Sequence, residues 1–171
     1  MELYGERGFE QTTVAEIAER AGLTERTFFR YFTDKREVLF AGASVMTDLL
    51  VSTVAGAPDS AAPIDAVALA LEAAGAQLQE RREFARQRQA IIAANPELHE
   101  RELIKLASWS AAVADALRAR GVGDPAATLS AETGLAVFRV AFQRWVGDGE
   151  ERGLPELVRD SLEELRALAV D

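Results

Sequence analysis

The sequence predicts an all-α chain in which a small head of short helices precedes a larger bundle of long ones. Three observations carry this. The segments between Gly and Pro breaks are rich in Ala, Leu, Glu and Arg, which favour helix. β-branched runs with period-two alternation, the mark of strands, are missing from the sequence. The first breaks, at Gly8 and Gly22, lie close together, whereas 56–63, Asn95-Pro96, 121–125 and 147–155 separate long uninterrupted segments.

Each element has its own signal. Val14, Ile17, Ala18 and Ala21 recur at helical spacing, Thr13 with Glu16 forms a capping-box pattern, and Gly22 stops the chain; a helix over 13–21 follows. Thr24 then caps a second short helix over about 25–32. Asp34 with Glu37 is another cap-like pair. It predicts one long helix from Asp34 through Val38, Leu39, Val45, Leu49 and Leu50 to about Val54. Beyond it, helices are expected over about 63–81, 82–94, 97–120, 126–147 and 155–169. The 126–147 segment is apolar on more than one face (Leu135, Val137, Phe138, Val140, Phe142, Trp145, Val146), which implies burial on two sides. The last segment carries one stripe, Leu154, Leu157, Val158, Leu162, Leu165 and Leu168.

Composition narrows the chemistry. At 171 residues, 49% hydrophobic and 27% charged, the chain has the makeup of a folded protein with a sizeable core. No cysteines are present, which removes disulfides, thiolate metal sites and cysteine nucleophiles. One histidine, His99, makes a His-based triad or a multi-His metal site unlikely within one chain; it lies in a Glu-rich helix start that reads as solvated. No cofactor, metal or catalytic residues are expected. With no stretch of about 18 unbroken apolar residues and no basic-then-apolar leader, a soluble cytoplasmic protein is expected, without a membrane partner. The net charge of −9 argues against bulk nucleic-acid binding, but residues 24–36 run the other way: Arg26, Arg30, Lys35 and Arg36 against Glu25 and Asp34.

Two short helices joined by Gly22-Leu23-Thr24 have the helix-turn-helix pattern. The full string is more specific: Gly8-Phe9, Thr12-Thr13-Val14, Ile17-Ala18, Ala21-Gly22-Leu23-Thr24, Thr27-Phe28-Phe29, Tyr31-Phe32, Lys35 and Leu39 at fixed spacing. It resembles the DNA-binding domain of the tetracycline-repressor (TetR) family of bacterial regulators over roughly residues 3–42. The resemblance implies a helix-turn-helix DNA-binding domain over 1–42 and a helical ligand-binding and dimerisation domain over 43–171. It further implies a homodimer that binds double-stranded operator DNA and is released by a small-molecule effector of unknown identity, most often as a repressor. The family has a fuller first helix before Gly8-Phe9, often with a basic arm. Residues 2–7 supply only its end, so upstream residues are expected, and the head as written is expected to expose Ile17, Phe28 and Phe32.

Site roles follow residue by residue. Thr13, at a helix N-terminus, is placed to meet a phosphate. Thr24, Glu25, Arg26 and Thr27 open the recognition helix. Arg26 is the guanine reader and Thr27 the thymine-methyl contact, while Glu25 either accepts from a cytosine amine or, more simply, caps the helix. Phe29 stands where the family commonly has Tyr; it can pack on sugar but cannot donate to a phosphate, which leaves Tyr31 and Lys35 as the phosphate contacts. Ile17, Ala18, Ala21, Leu23, Phe28, Phe32 and Leu39 are expected in the core.

In the body, Phe84, Arg88, Trp109 and Phe138 are the candidate pocket residues, and one or two of Arg81, Arg82, Arg86 and Arg88 are candidates for an anionic ligand. Phe142, Trp145, Leu162 and Leu165 are the candidate dimer seam, in a four-helix bundle made by the last two helices of each subunit. Two other function classes stay open at this point: an all-α enzyme, for which no carboxylate pair stands out among 28 acidic residues, and a helical interaction module that does not bind DNA.

Overall fold

Twelve to twenty-four residues per helix are enough for the body helices to pack as rods, and the chain uses most of its length that way. The computed structural model describes residues 1–168. In chain order it contains α1 (Glu2–Arg7), α2 (Val14–Arg20), α3 (Glu25–Tyr31), a 3-10 helix (Lys35–Phe40) and α4 (Ala43–Gly56). Then come α5 (Pro63–Gln79), α6 (Arg82–Ala93), α7 (Pro96–Ala119), α8 (Ala126–Val146) and α9 (Leu154–Leu168). No strand occurs among the described residues. The five body helices from residue 63 onward match the expected segments to within two residues; the expected end of the last, residue 169, lies outside the described residues.

The expected single helix from Asp34 to Val54 is two elements. The Asp34 carboxylate accepts from the backbone N–H of Arg36 at 2.8 Å and of Glu37 at 3.3 Å, which starts the turn as anticipated. The turn is a tight 3-10 one, however, and the chain breaks at Ala41-Gly42, where Gly42 has φ +87°. The break turns Leu39 and Phe40 away from the face of α4 and toward α6 and α7. Residues 35–56 are apolar enough, by length and composition, to cross a membrane. The break at Gly42 and the burial of Met46, Leu50 and Val54 among body helices mark α4 instead as a core element.

Two apolar cores result. The large one joins α4, α5, α7, α8 and α9, with Leu50, Leu71, Val113, Leu117, Trp145 and Leu157 nearly fully buried. α8 packs on α5, α7 and α9, the many-sided burial its sequence implied. Gly134 of α8 lies against Val67 of α5, where an added methyl would collide with a stiff β-branched side chain. The small core is mixed: Tyr4 and Phe9 from the head, Leu39 and Phe40 from the 3-10 turn, Ile92 from α6 and Leu98 from α7. Body helices therefore complete the core of the head.

α6 buries only Ala85 and Ile92. Arginines hold it instead. Arg82 donates to the Trp145 carbonyl at 2.8 Å, and Arg86 to those of Val146 and Gly147 at 2.9 and 3.1 Å. These are orphan carbonyls at the C-terminal end of α8, where the dipole favours cations. The arginines considered for an anionic ligand are thus largely spent on helix ends. Arg120 does the same for α4, donating to the carbonyls of Val54, Ala57 and Pro58 at 3.0, 2.6 and 2.8 Å.

Candidate functional site

The α2–α3 unit is built by local chemistry. Thr13 Oγ1 accepts from the Glu16 N–H at 3.3 Å while the Glu16 carboxylate accepts from the Thr13 N–H at 2.8 Å, a complete capping box. The Thr13 N–H foremost, and then the Thr13 hydroxyl at 2.9 Å, hold the Glu16 carboxyl below its ordinary range. α2 ends in a Schellman turn: Gly22 at φ +68° donates to Glu19, and the Leu23 N–H reaches the Ala18 carbonyl at 2.8 Å. Thr24 Oγ1 accepts from the Thr27 N–H at 3.2 Å and shares a second hydrogen bond with the Thr27 hydroxyl at 3.1 Å, which starts α3.

α3 is fixed by one buried side chain, Phe28, whose ring meets those of Phe29 and Phe32. Phe28 is therefore buried, not exposed as the short first helix had suggested; Ile17 and Phe32 are half-buried. Ala21 and Leu23, expected in the core, are exposed, because both lie in the turn between the helices. The outward face of α3 presents Glu25, Arg26, Phe29 and Arg30, with Thr27 half-buried behind them. Phe29 is 53% exposed and Tyr31 66%. Arg30 donates to the Tyr31 hydroxyl at 3.0 Å and lies over its ring. Among the described residues neither Arg26 nor Arg30 has an acidic partner, whereas Arg7 and Arg20 pair with Glu16, Glu2 and Glu6. Arg30, counted above only in the local charge, shares this face with Arg26; their spacing of four is the signal that joins them.

Lys35 departs from its expected place at a phosphate. Its ammonium donates to the carbonyls of Phe9, Thr12 and Glu10 at 2.8, 3.0 and 3.1 Å and rests over the Phe9 ring. All three donors are used. Tyr4 donates to the Lys35 carbonyl at 2.5 Å, and burial pushes its phenol well above its ordinary pKa. Lys35 thus staples the α1–α2 loop to the 3-10 turn.

A second ionic layer joins that turn to the body. Arg88 of α6 donates to the Leu39 carbonyl at 2.7 Å and to Glu102 of α7 at 2.9 Å, with its guanidinium over Phe40. Glu37 pairs with Arg101 and, at 3.8 Å, with Lys105. Arg36 reaches Glu97 at 3.5 Å and Asp34 at 2.6 Å. Glu97, Arg101 and Lys105 recur every four residues along one face of α7, a spacing visible in the sequence.

The four candidate pocket residues do not converge. Phe84 is exposed, Arg88 is committed to Leu39 and Glu102, Trp109 is half-buried against the large core, and Phe138 is buried in it. A cleft of about 180 Å³ between α7 and α8 is lined by none of them; Leu103, Leu106, Ser110, Glu132, Leu135 and Arg139 are among its walls. The candidate seam turns inward only in part. Within the subunit Trp145 is fully buried and Leu162 is 7% exposed, whereas Phe142 and Leu165 stay half-buried and Leu168, further along the same stripe, is 78% exposed.

Comparison with known proteins gives this architecture its place. The family described as "Bacterial regulatory proteins, tetR family" matches residues 1–41, and the "MftR C-terminal domain" matches residues 61–169. The HTH-type transcriptional regulator TcmR of Streptomyces glaucescens is 34% identical over 73 residues, 43% of this chain and 32% of that protein. The chain thus spans about a third of that relative. The putative mycofactocin biosynthesis transcriptional regulator MftR of Mycobacterium tuberculosis is 27% identical over 151 residues, 86% of this chain and 76% of that protein. Thermus thermophilus FadR, a TetR-family transcriptional repressor solved with lauroyl-CoA, shares the fold at a TM-score of 0.57 and 21% identity, over 96% of this chain and 88% of that one. The head, the body and both family matches agree: this chain belongs to the TetR family of bacterial transcriptional regulators.

Proposed function

We propose that this regulator lays α3 in the major groove of a palindromic operator, acts as a homodimer, and is released when a small molecule binds its body. One observation carries the reading: α3 presents Arg26 and Arg30 outward, without acidic partners among the described residues, on an otherwise acidic chain. Arg26 reads guanine through O6 and N7. Thr27 meets a thymine methyl, Phe29 packs on sugar, and Tyr31 with Arg30 contacts phosphate. Thr13 and Thr24 bring the first amides of α2 and α3 to the backbone, where helix N-termini attract anions. Glu25 lies in the first turn of α3 and favours the cap role through the dipole. Lys35 acts one step removed, by holding the head together.

Two recognition helices must stand about 34–36 Å apart to read successive major-groove faces. The 3-10 turn, fixed to α6 and α7 by Arg88, Arg101 and Lys105, sets the angle at which each head leaves the body. An effector that displaces α6 shifts this angle, and release requires only differential affinity for the two arrangements. A tenfold loss of DNA affinity corresponds to about 1.4 kcal/mol of coupling, repaid in kind as weaker effector binding on DNA. A repressor of the same fold solved in complex with lauroyl-CoA supports release by a small molecule. The protein is cytoplasmic and has no catalytic role in this reading.

The test is anisotropy with a labelled palindromic fragment from upstream of the gene or its neighbour. Arg26→Ala is expected to cost about 1–3 kcal/mol and to relax preference at one base position. An unchanged operator preference in that variant rejects the groove assignment.

A further inference from the structure

We infer that the indole N–H of Trp145 is the polar anchor of an effector site between α6 and α8, and that the effector is an uncharged, largely apolar molecule carrying a carbonyl or comparable acceptor. The inference rests on the reading that a small molecule binds the body; it adds the anchor and the ligand chemistry. Trp145 is fully buried in the large core, yet its Nε1 has no hydrogen-bond partner, the one such buried side-chain atom among the described residues. Folded proteins pair nearly all buried polar groups, and a bond left unmade costs stability. An indole nitrogen only donates, so only an acceptor can complete it. A water there would need two to four polar partners, and no second unpaired buried side-chain group stands among the described residues to help hold one.

The surroundings limit what can bring that acceptor. The Phe142 ring lies 5.7 Å from that of Trp145, and Ala85 of α6 shares the same core. A charge carried into such a core is costly unless paired. The guanidinium beside the indole, that of Arg82 at 5.8 Å, already donates to the carbonyls of Trp145 and Glu150. A neutral acceptor on an apolar frame meets both conditions. α6 is the wall that can yield. It buries only Ala85 and Ile92, and Arg82 and Arg86 fasten it to the carbonyls at the end of α8. The same helix carries Arg88, which donates to the Leu39 carbonyl of the 3-10 turn. A ligand that accepts from Trp145 and lifts α6 therefore pulls on a contact that seats the head.

The experiment is proton–nitrogen NMR of the indole N–H groups, of which the chain has two, Trp109 and Trp145. Trp109→Phe, at a half-buried position, assigns the two signals, and the titrations use wild type. The probes are methyl hexyl, methyl octyl and methyl decyl ketone, the alkane of equal length for each, and the matching fatty-acid anions. In the free protein the Trp145 signal should lie at the high-field end of the indole range, as an unbonded N–H does. At least one ketone should move it downfield and bind about three- to tenfold tighter than its alkane, the worth of one hydrogen bond. The anions should bind no tighter than the alkanes. Trp145→Phe, with helix content checked by circular dichroism, should erase the advantage of ketone over alkane. The ketone that binds should weaken binding to the labelled operator fragment in wild type and lose that effect in Trp145→Phe. A Trp145 signal already at the bonded position, or one that no ketone moves or that alkanes move equally, overturns the site. Anions that bind as tightly as the ketones overturn the ligand class. Operator release by ketone that persists in Trp145→Phe overturns the site while sparing the release reading. A ketone that moves the signal and leaves operator affinity unchanged upholds the ligand site and overturns the release reading.

Discussion

The body and the head of this regulator are held by different physics. Helices α4, α5, α7, α8 and α9 share a core rich in Leu, Val and Ala with Trp145 at zero exposure, and the arginines at its edge, Arg82, Arg86 and Arg120, bind helix-end carbonyls. The head has only a small core of its own, with Leu3, Ala18 and Phe28 buried in it; Tyr4 and Phe9 meet two body residues, Lys35 holds three carbonyls, and Arg88, Arg101 and Lys105 hold the 3-10 turn. Apolar burial is non-directional and insensitive to salt, whereas partly exposed ion pairs weaken with salt and break singly. Such a head can change its angle while the body stays folded, which is the behaviour a ligand-responsive DNA binder requires.

The comparison is broken most severely from the body side. Leu50 of α4 is 1% exposed in the large core, and Leu50→Ala should cost about 2–5 kcal/mol of global stability. Thermal denaturation should register it as one shift of the whole cooperative transition. A shift confined to the head would show that α4 belongs with the head.

A smaller effect is expected from Lys35→Met, which leaves three carbonyls without their donor and should loosen the head by about 1–3 kcal/mol. Limited proteolysis near Glu10–Thr12 should accelerate. The slope of DNA affinity against salt should stay unchanged for the folded fraction; a lysine on phosphate would lower it by about one.

The smallest effect comes from pH. Glu16 and Asp34 are held below their ordinary values, Glu16 chiefly by the Thr13 amide and Asp34 chiefly by the Arg36 side chain. Depressed carboxylates contribute stability that is complete above the unfolded values, 4.5 and 3.8, and is lost as pH falls through the folded ones. Acid should therefore unwind the start of α2 and the 3-10 turn. Thr13→Ala together with Asp34→Asn should flatten that dependence in amide-exchange profiles; an unchanged profile would place the acid-sensitive groups elsewhere.

Features decided within a few residues were legible in the sequence. The Thr13–Glu16 box, the Thr24 cap, the positive φ of Gly22 and the five long helices depend on neighbours along the chain. What was not legible depends on neighbours in space. Periodicity marks Phe142, Trp145, Leu162 and Leu165 as apolar, but not that the subunit itself buries Trp145 and Leu162 and leaves the other two half-buried. Lys35 carries the same charge whether it faces a phosphate or the Phe9 carbonyl. The continuous apolar pattern from Val38 to Leu50 hides a break, because Leu39 and Phe40 answer to α6 and α7 while Met46 and Leu50 answer to α5 and α7. The outward face of α3 was partly legible: the turn before it singled out Arg26, while Arg30, one helical turn further on, was counted only in the local charge.

The central claim, that ionic contacts to the 3-10 turn seat the head on the body, is tested most directly by hydrogen exchange. Wild type and Glu37→Gln are compared at low and high salt. Glu37 holds both Arg101 and Lys105. Wild type should lose protection in α1–α3 and the 3-10 turn as salt rises, and α5 and α8 should keep theirs. Glu37→Gln should show the loosened head already at low salt and little further change. Protection that falls equally in head and body, or a variant indistinguishable from wild type at low salt, would contradict the account.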